Sequence, residues 1–383
     1  MIKEWPKGKS AGVLLCVLAG LILTAGGCQS PGQVKRTKLC MSSDDITYTT
    51  KDGRITIKPR LKYELILSLH VLATAEDHHK LFIPWAQQMR KSLSPETLRD
   101  AGIVAKGAHE WQLCSLVADY DGPDTIECLT DYIEHQNKKT INRWAWWTRQ
   151  SRSHPDFAVW YADFLRRYYK EGFEKAWLDE QKQLVYDDAK RVAGNLENLP
   201  FSITKFMEQH TGRRFSGSSK IILYPSSFSR PCHAYGFSEN GEKVVLYQIG
   251  GEVIGDAFHE LMHPLIHGWD NALRMKGPIS RLGREPAFKH FQKKGSYSYP
   301  AGWVEEIFVH ATANYLKYKA GLAGEEQIKQ YQASYGPYES AVYDAIFDRY
   351  DRFDKIDDFI YYAMTHIHPN NDPGRPFIYV ADK

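Results

Sequence analysis

The segment His259-Glu260-Leu261-Met262-His263 constrains this chain more than any other, because two imidazoles and a carboxylate recur at helical spacing inside an apolar run. Residues four apart lie one turn apart on the same helix face, so His259 and His263 can both turn toward one ion. Ile254, Ala257, Phe258, Leu261 and Leu265 form an apolar stripe, and at about 100° per residue both histidines fall opposite it. The helix is therefore expected to rest on a core by one face and show its histidines to a cleft. Glu260 is placed beside such an ion rather than on it, where it can take a proton from water. Pro264 follows at once, removing a backbone donor and crowding the carbonyl of Glu260, so the helix is expected to kink or end within the next turn.

A catalytic zinc site usually takes three protein ligands. The metzincin pattern asks for a third histidine six residues beyond His263, but that position is Trp269, and Ile266 stands where its glycine would be. His267 lies beyond the Pro264 break and reads as a surface or capping histidine. Glu285, in the turn-like Arg281-Leu282-Gly283-Arg284-Glu285-Pro286, would be held loosely. The strongest candidate lies in the helical run from Trp303 to Tyr315, introduced by Pro300-Ala301-Gly302, with an apolar stripe of Val304, Ile307, Phe308 and Ala311. Glu306 falls nearly opposite that stripe beside Trp303, His310 and Asn314, whereas Glu305 lies nearer its border. Periodicity favours Glu306 and leaves Glu305 open.

Two histidines on one helix and a glutamate from a second, downstream helix resemble the gluzincin arrangement of zinc metallopeptidases. Trp303-Val304-Glu305-Glu306-Ile307-Phe308 is similar to the Trp-x-x-Glu-x-Phe run around the glutamate ligand of some gluzincin aminopeptidases, which selects Glu306. With the N-terminus described next, the two helices resemble an uncharacterised bacterial lipoprotein family of gluzincin type, a domain of unknown function. The resemblance implies Zn2+ held by His259, His263 and Glu306, Glu260 as general base, and a peptide or protein substrate. It also implies that extended substrate lies along a sheet edge formed by Val244 to Ile249. Several gluzincins carry an acidic residue one turn after the glutamate ligand. Here that place is His310, which leaves the support of the ligand imidazoles open. Tyr235, Tyr247, His310, Tyr361 and His366 are all of a type to stabilise an oxyanion, and the sequence does not choose among them.

The N-terminus reads as an export signal. Lys3, Lys7 and Lys9 precede an apolar stretch from Ala11 to Ala25, and Gly26-Gly27-Cys28 resembles a bacterial lipobox in which Cys28 is lipidated. The apolar run is shorter than the roughly 20 residues of a membrane span. The expected location is the cell envelope, with the chain lipid-anchored on the extracytoplasmic side of a bacterial membrane. Cys40, Cys114, Cys128 and Cys232 remain beyond the anchor, and Cys114 with Cys128 and Cys40 with Cys232 is the expected pairing among three possible connectivities. A net charge of +3, with Lys and Arg scattered among acids, carries no footprint of nucleic-acid binding.

The expected architecture is α+β and predominantly helical, with a helical N-terminal region and a small sheet beside the zincin-like helix. Residues 1–27 form the signal, 28–50 a tether, 51–200 a mainly helical region, 201–368 the metallopeptidase domain and 369–383 an irregular tail rich in Pro, Asn and Gly. Ile55-Thr56-Ile57, Lys220 to Tyr224 (ended by Pro225) and Val244 to Ile249 read as strands, with Ser238 to Glu242 a turn. Helices are expected from Leu61 to Ala73, from a capping pattern at Asp124-Thr125-Ile126-Glu127, and from Ser202 to Gln209. Trp144, Trp146, Trp147, Trp160, Tyr161, Phe164, Tyr168 and Tyr169 suit a core better than a sugar-stacking platform, because they recur at helical spacing. The function this points to is zinc-dependent peptide-bond hydrolysis. The alternatives are a non-catalytic peptide- or glycan-binding lipoprotein on the same scaffold, and an envelope scaffold whose motif is fortuitous.

Overall fold

The computed structural model describes residues 47–75, 82–107, 110–136, 138, 156–216, 220–228, 235–239, 242–294, 300–330 and 336–381. The expected signal, most of the expected tether, Cys28, Cys40, Cys232, the Asn240-Gly241 pair, Trp144, Trp146 and Trp147 lie outside them. The fold is predominantly helical with a small mixed sheet, and no helix among the described residues is long and apolar enough to cross a membrane.

The chain forms two compact units: the described residues up to Leu199 together with Ser218–Val253, and Pro200–Gly217 together with Ile254–Lys383. The strands after Ser218 belong to the same unit as the N-terminal helices.

In the first of these units the sheet runs β1 (Tyr48–Thr49), β2 (Ile55–Ile57), β3 (Ile221–Ser226), β5 (Glu242–Gln248) and β4 (Tyr235–Glu239) in spatial order. β2, β3 and β5 are mutually parallel, while β1 and β4 add antiparallel edges. The apolar runs Ile221–Tyr224 and Val244–Tyr247 are buried on both faces, as strands covered by helices on either side should be. Ile222, Tyr224, Val244 and Leu246 pack into one core with the helix Leu61–Thr74, whose residues Leu61 to Leu72 are all buried. Tyr161, Phe164, Tyr168 and Tyr169 belong to that core too, in the helix Phe157–Tyr168 and the turn after it, so these aromatics are packing residues.

Pro225 does not end its strand. Odd residues of β3 bond toward β2, through Ile221 N to Arg54 O and Lys58 N to Leu223 O, and even residues bond toward β5. The nitrogen of Pro225 therefore faces the β2 side beyond the last pair, Ile57 with Leu223, where no ladder bond is lost. The substrate edge expected at Val244 to Ile249 is also corrected. β5 pairs with β3 on one side and β4 on the other, so its backbone groups are already engaged.

Cys128 is disulfide-bonded while Cys114 retains its thiol, so the expected Cys114–Cys128 pair does not form; Cys114 is buried among the aromatics of the core.

In the second unit, Ser202 caps the helix Ile203–Thr211 and Gly212 (φ 61°) ends it. A Cβ on Gly212 would stand 1.8 Å from the carbonyl oxygen of Asp354, so only glycine fits this turn. The apolar patterns after the Glu306 run become helices Pro337–Arg349 and Ile356–His366. The irregular tail is corrected in part. β6 (Ile367–Pro369) and β7 (Phe377–Tyr379) form a hairpin, and Phe377 is buried against Tyr338 with ring centroids 5.3 Å apart.

Candidate metal centre

The helix Val253–Ile266 carries both histidines, and Pro264 lies within its last turn. The final helical bond runs from His267 N to His263 O at 2.7 Å, after which Gly268 (φ 81°) redirects the chain. Both histidines precede the break, so their backbone is regular. The apolar side of the helix is buried through Ala257, Phe258, Leu261 and Leu265, and Phe258 meets Phe206 edge-on at 6.3 Å. The histidine side is more enclosed than a cleft-facing helix requires, because Glu260 and His263 are also buried and His259 is half-buried.

The residues enclosing them come from the helix Pro300–Lys319. Nε2 of His259 lies 3.1 Å from Oε1 of Glu306, and Nε2 of His263 lies 3.6 Å from Oε2 of the same carboxylate. The two rings stand 5.2 Å apart at 78°. Glu305 is separated from its neighbour by geometry: its Oε1 approaches the other nitrogen of His263, Nδ1, at 3.5 Å. His259, Glu260 and His263 also offer one ligand atom each within 4.8 Å of one another. Neither the exposed His267 nor the half-buried Glu285 belongs to this group among the described residues.

These contacts are compatible with a bound cation. Both ring nitrogens of His263 are buried and neither makes a hydrogen bond, while a carboxylate faces each. A neutral imidazole has one N-H, so two flanking carboxylates are satisfied either by a second proton on the ring or by a cation held between one nitrogen and its carboxylate. Leaving such a buried group unsatisfied costs about 1–3 kcal/mol. Atoms about 2.1 Å from a shared tetrahedral centre lie about 3.4 Å apart, and the two distances from the Glu306 oxygens bracket that value. A donor set of imidazole and carboxylate is of a type that holds divalent transition-metal ions.

The place one turn beyond Glu306 is occupied by His310, and its partners were not foreseen. Its Nδ1 lies 2.5 Å from Oε1 of Glu339, a fully buried carboxylate on the helix Pro337–Arg349, and its Nε2 lies 3.1 Å from Nδ2 of Asn314. An amide NH2 can only donate, so Nε2 accepts and the proton sits on Nδ1, donated to Glu339. Asn314 Nδ2 also donates to the Tyr343 hydroxyl at 2.9 Å. The sequence carried one signal for Glu339: it shares helical spacing with Val342, Tyr343 and Ile346, so an acid stands at a core position.

Of the other candidates for oxyanion stabilisation, Tyr361 lies beneath the guanidinium of Arg274 at 5.1 Å and His366 stacks on Tyr362 at 4.0 Å, while the backbones of Tyr235 and Tyr247 lie in β4 and β5.

No protein-family model, curated protein or solved structure matches this chain significantly. The likeness to zincins therefore rests on the helix and its His259, Glu260 and His263 group.

Proposed function

We propose that this chain is a zinc-dependent peptide-bond hydrolase, with His259, His263 and Glu306 as metal ligands and Glu260 as general base. The observation that carries this reading is the carboxylate of Glu306 lying against Nε2 of both histidines, with Glu260 on the same helical turn. A bound zinc ion would supply Lewis acidity, acidifying water and polarising the scissile carbonyl.

The chain's own residues account for the rest. Glu260 accepts a proton from the attacking water and returns it to the leaving amine, and its burial keeps bulk water from competing for that proton. Glu305, facing Nδ1 of His263 at 3.5 Å, is placed to orient a proton on that nitrogen, which would leave the Nε2 lone pair for the metal. We further propose that the chain is exported and anchored through a lipid on Cys28 at the extracytoplasmic side of a bacterial membrane; a disulfide at Cys128 suits that oxidising compartment.

A second reading, a lipoprotein that captures a peptide or glycan without cleaving it, is favoured by His310 standing where several gluzincins have an acid. A broad peptide library incubated with wild type and with Glu260→Gln separates the two. Hydrolysis requires cleavage by wild type and its loss in the variant. Cleavage undiminished by Glu260→Gln would sink the mechanism, and absence of cleavage by a zinc-loaded wild type would favour the binder.

A further inference from the structure

Four polar side chains beyond the candidate ligands form one chain of contacts that the proposed mechanism does not use. Glu339 has no exposed surface, and its Oε1 meets Nδ1 of His310 at 2.5 Å. His310 is fixed at its other nitrogen by Asn314, which the Tyr343 hydroxyl holds in turn. Glu339 and Tyr343 are four apart on one helix, and His310 and Asn314 are four apart on another, so two facing stripes interlock across a single helix pair. A fully buried carboxylate is costly, and is retained only where its partners hold it and it holds them.

The far side of this network reaches the histidines. The ring of His310 stands 6.1 Å from that of His259 at 63°, while His263 stands against His259 at 5.2 Å and 78°. His259 is thus flanked by two tilted rings, one belonging to the metal group and the other fixed by Glu339. His310 also lies one turn from Glu306 on the same helix, so fixing His310 fixes the rotation that aims Glu306.

We infer that Glu339 is a positioning residue for the metal centre, acting through His310 on the ring of His259 and on the setting of Glu306. This rests on the metal assignment proposed above. The acid one turn beyond the glutamate ligand is replaced by a histidine that borrows its carboxylate from a third helix. The consequence is that metal affinity depends on a residue that touches neither the metal nor substrate.

The test measures zinc affinity by chelator competition, and the visible spectrum of the cobalt-substituted protein, for wild type, Glu339→Gln, His310→Gln and the double variant. Glu339→Gln keeps an acceptor for Nδ1-H but removes the charge, and His310→Gln keeps a donor for Glu339 but removes the ring. Each single variant is expected to weaken zinc about 10- to 100-fold. The cobalt bands should shift in each, and the double variant should be no weaker than His310→Gln alone, because the carboxylate acts only through the histidine. Wild-type zinc affinity in folded Glu339→Gln, or additive losses in the double variant, would overturn the inference. If Glu339→Gln does not fold, His310→Gln decides alone, since its buried acid remains bonded, and an unchanged cobalt spectrum there overturns it. Failure here leaves wild-type zinc binding and the Glu260→Gln result untouched, whereas failure of the metal assignment removes zinc binding from the wild type itself.

Discussion

Among the residues of the site, the two adjacent glutamates show what geometry adds to spacing. Angular counting placed Glu306 opposite the apolar stripe and Glu305 at its border, and the structure sets them on different nitrogens of His263. Glu305→Gln is accordingly expected to weaken zinc less than Glu306→Ala, with chelator competition as the check; equal losses would mean that both carboxylates ligate. The grouping of His259, Glu260 and His263 was legible because a helix converts a fixed spacing into a shared face. Glu339 was not, because its role depends on which helix lies opposite His310, and that is set by packing far along the chain. A second buried carboxylate gives a pH-dependent prediction. Burial pushes the carboxyl of Glu64 from 4.5 up to about 7, only partly offset by hydrogen bonds from Ser226 and from Ser227, whose backbone N donates at 2.9 Å. Below about 4.5 the group is neutral in folded and unfolded chains alike. As the pH rises through 7 the unfolded chain ionises more easily than the folded one, and about 3 kcal/mol of stability is lost. Glu64→Gln carries no charge to desolvate, so its urea midpoint should exceed that of wild type at pH 8 and approach it near pH 4.5. A variant destabilised equally at both values would contradict this.

The success of the sequence reading for individual elements followed the strength of local signals. Ile55 to Ile57, the helix from Leu61 and the helix from Ile203 form as expected, the last with both a cap at Ser202 and a terminator at Gly212. The capping pattern at Asp124-Thr125 was legible in kind but not in full. Thr125 caps its own helix, accepting from Cys128 N at 3.3 Å, whereas the Asp124 carboxylate accepts from Leu61 N at 2.9 and 2.7 Å, at the start of a helix more than sixty residues earlier. It also stands 3.6 Å from Arg60. Asp124→Ala is therefore expected to cost about 1–3 kcal/mol and Thr125→Ala about 1 kcal/mol in urea unfolding, and the reverse order would show that the long-range cap contributes little. β4 and β7 were missed for opposite reasons. Tyr235–Glu239 is short and contains Gly236, and its pairing with β5 makes it a strand. The Pro, Asn and Gly of the tail suggested irregularity but supply a hairpin loop, in which Gly374 N bonds Asp372 Oδ1 at 2.8 Å.

Across the whole molecule, the fold class was legible because composition and periodicity are summed over many elements, while the grouping of strands was not. Ser218–Val253 follows the 200 boundary in sequence yet completes the sheet begun by Tyr48–Thr49 and Ile55–Ile57, since a parallel strand pair needs a long crossover that no local signal announces. All candidate ligands lie in the unit containing Ile254–Lys383. Zinc should therefore slow hydrogen exchange in Val253–Ile266 and Pro300–Lys319 and leave Leu61–Thr74 unchanged, and uniform protection would place the ion elsewhere. The most direct test of the central claim is the zinc content of the purified wild type, Glu260→Gln and Glu306→Ala proteins after dialysis. About one equivalent is expected in wild type and in Glu260→Gln, and a large loss in Glu306→Ala. A wild type without zinc, or a Glu260→Gln protein that loses zinc while Glu306→Ala keeps it, would contradict the claim, the latter by making Glu260 the ligand in place of Glu306.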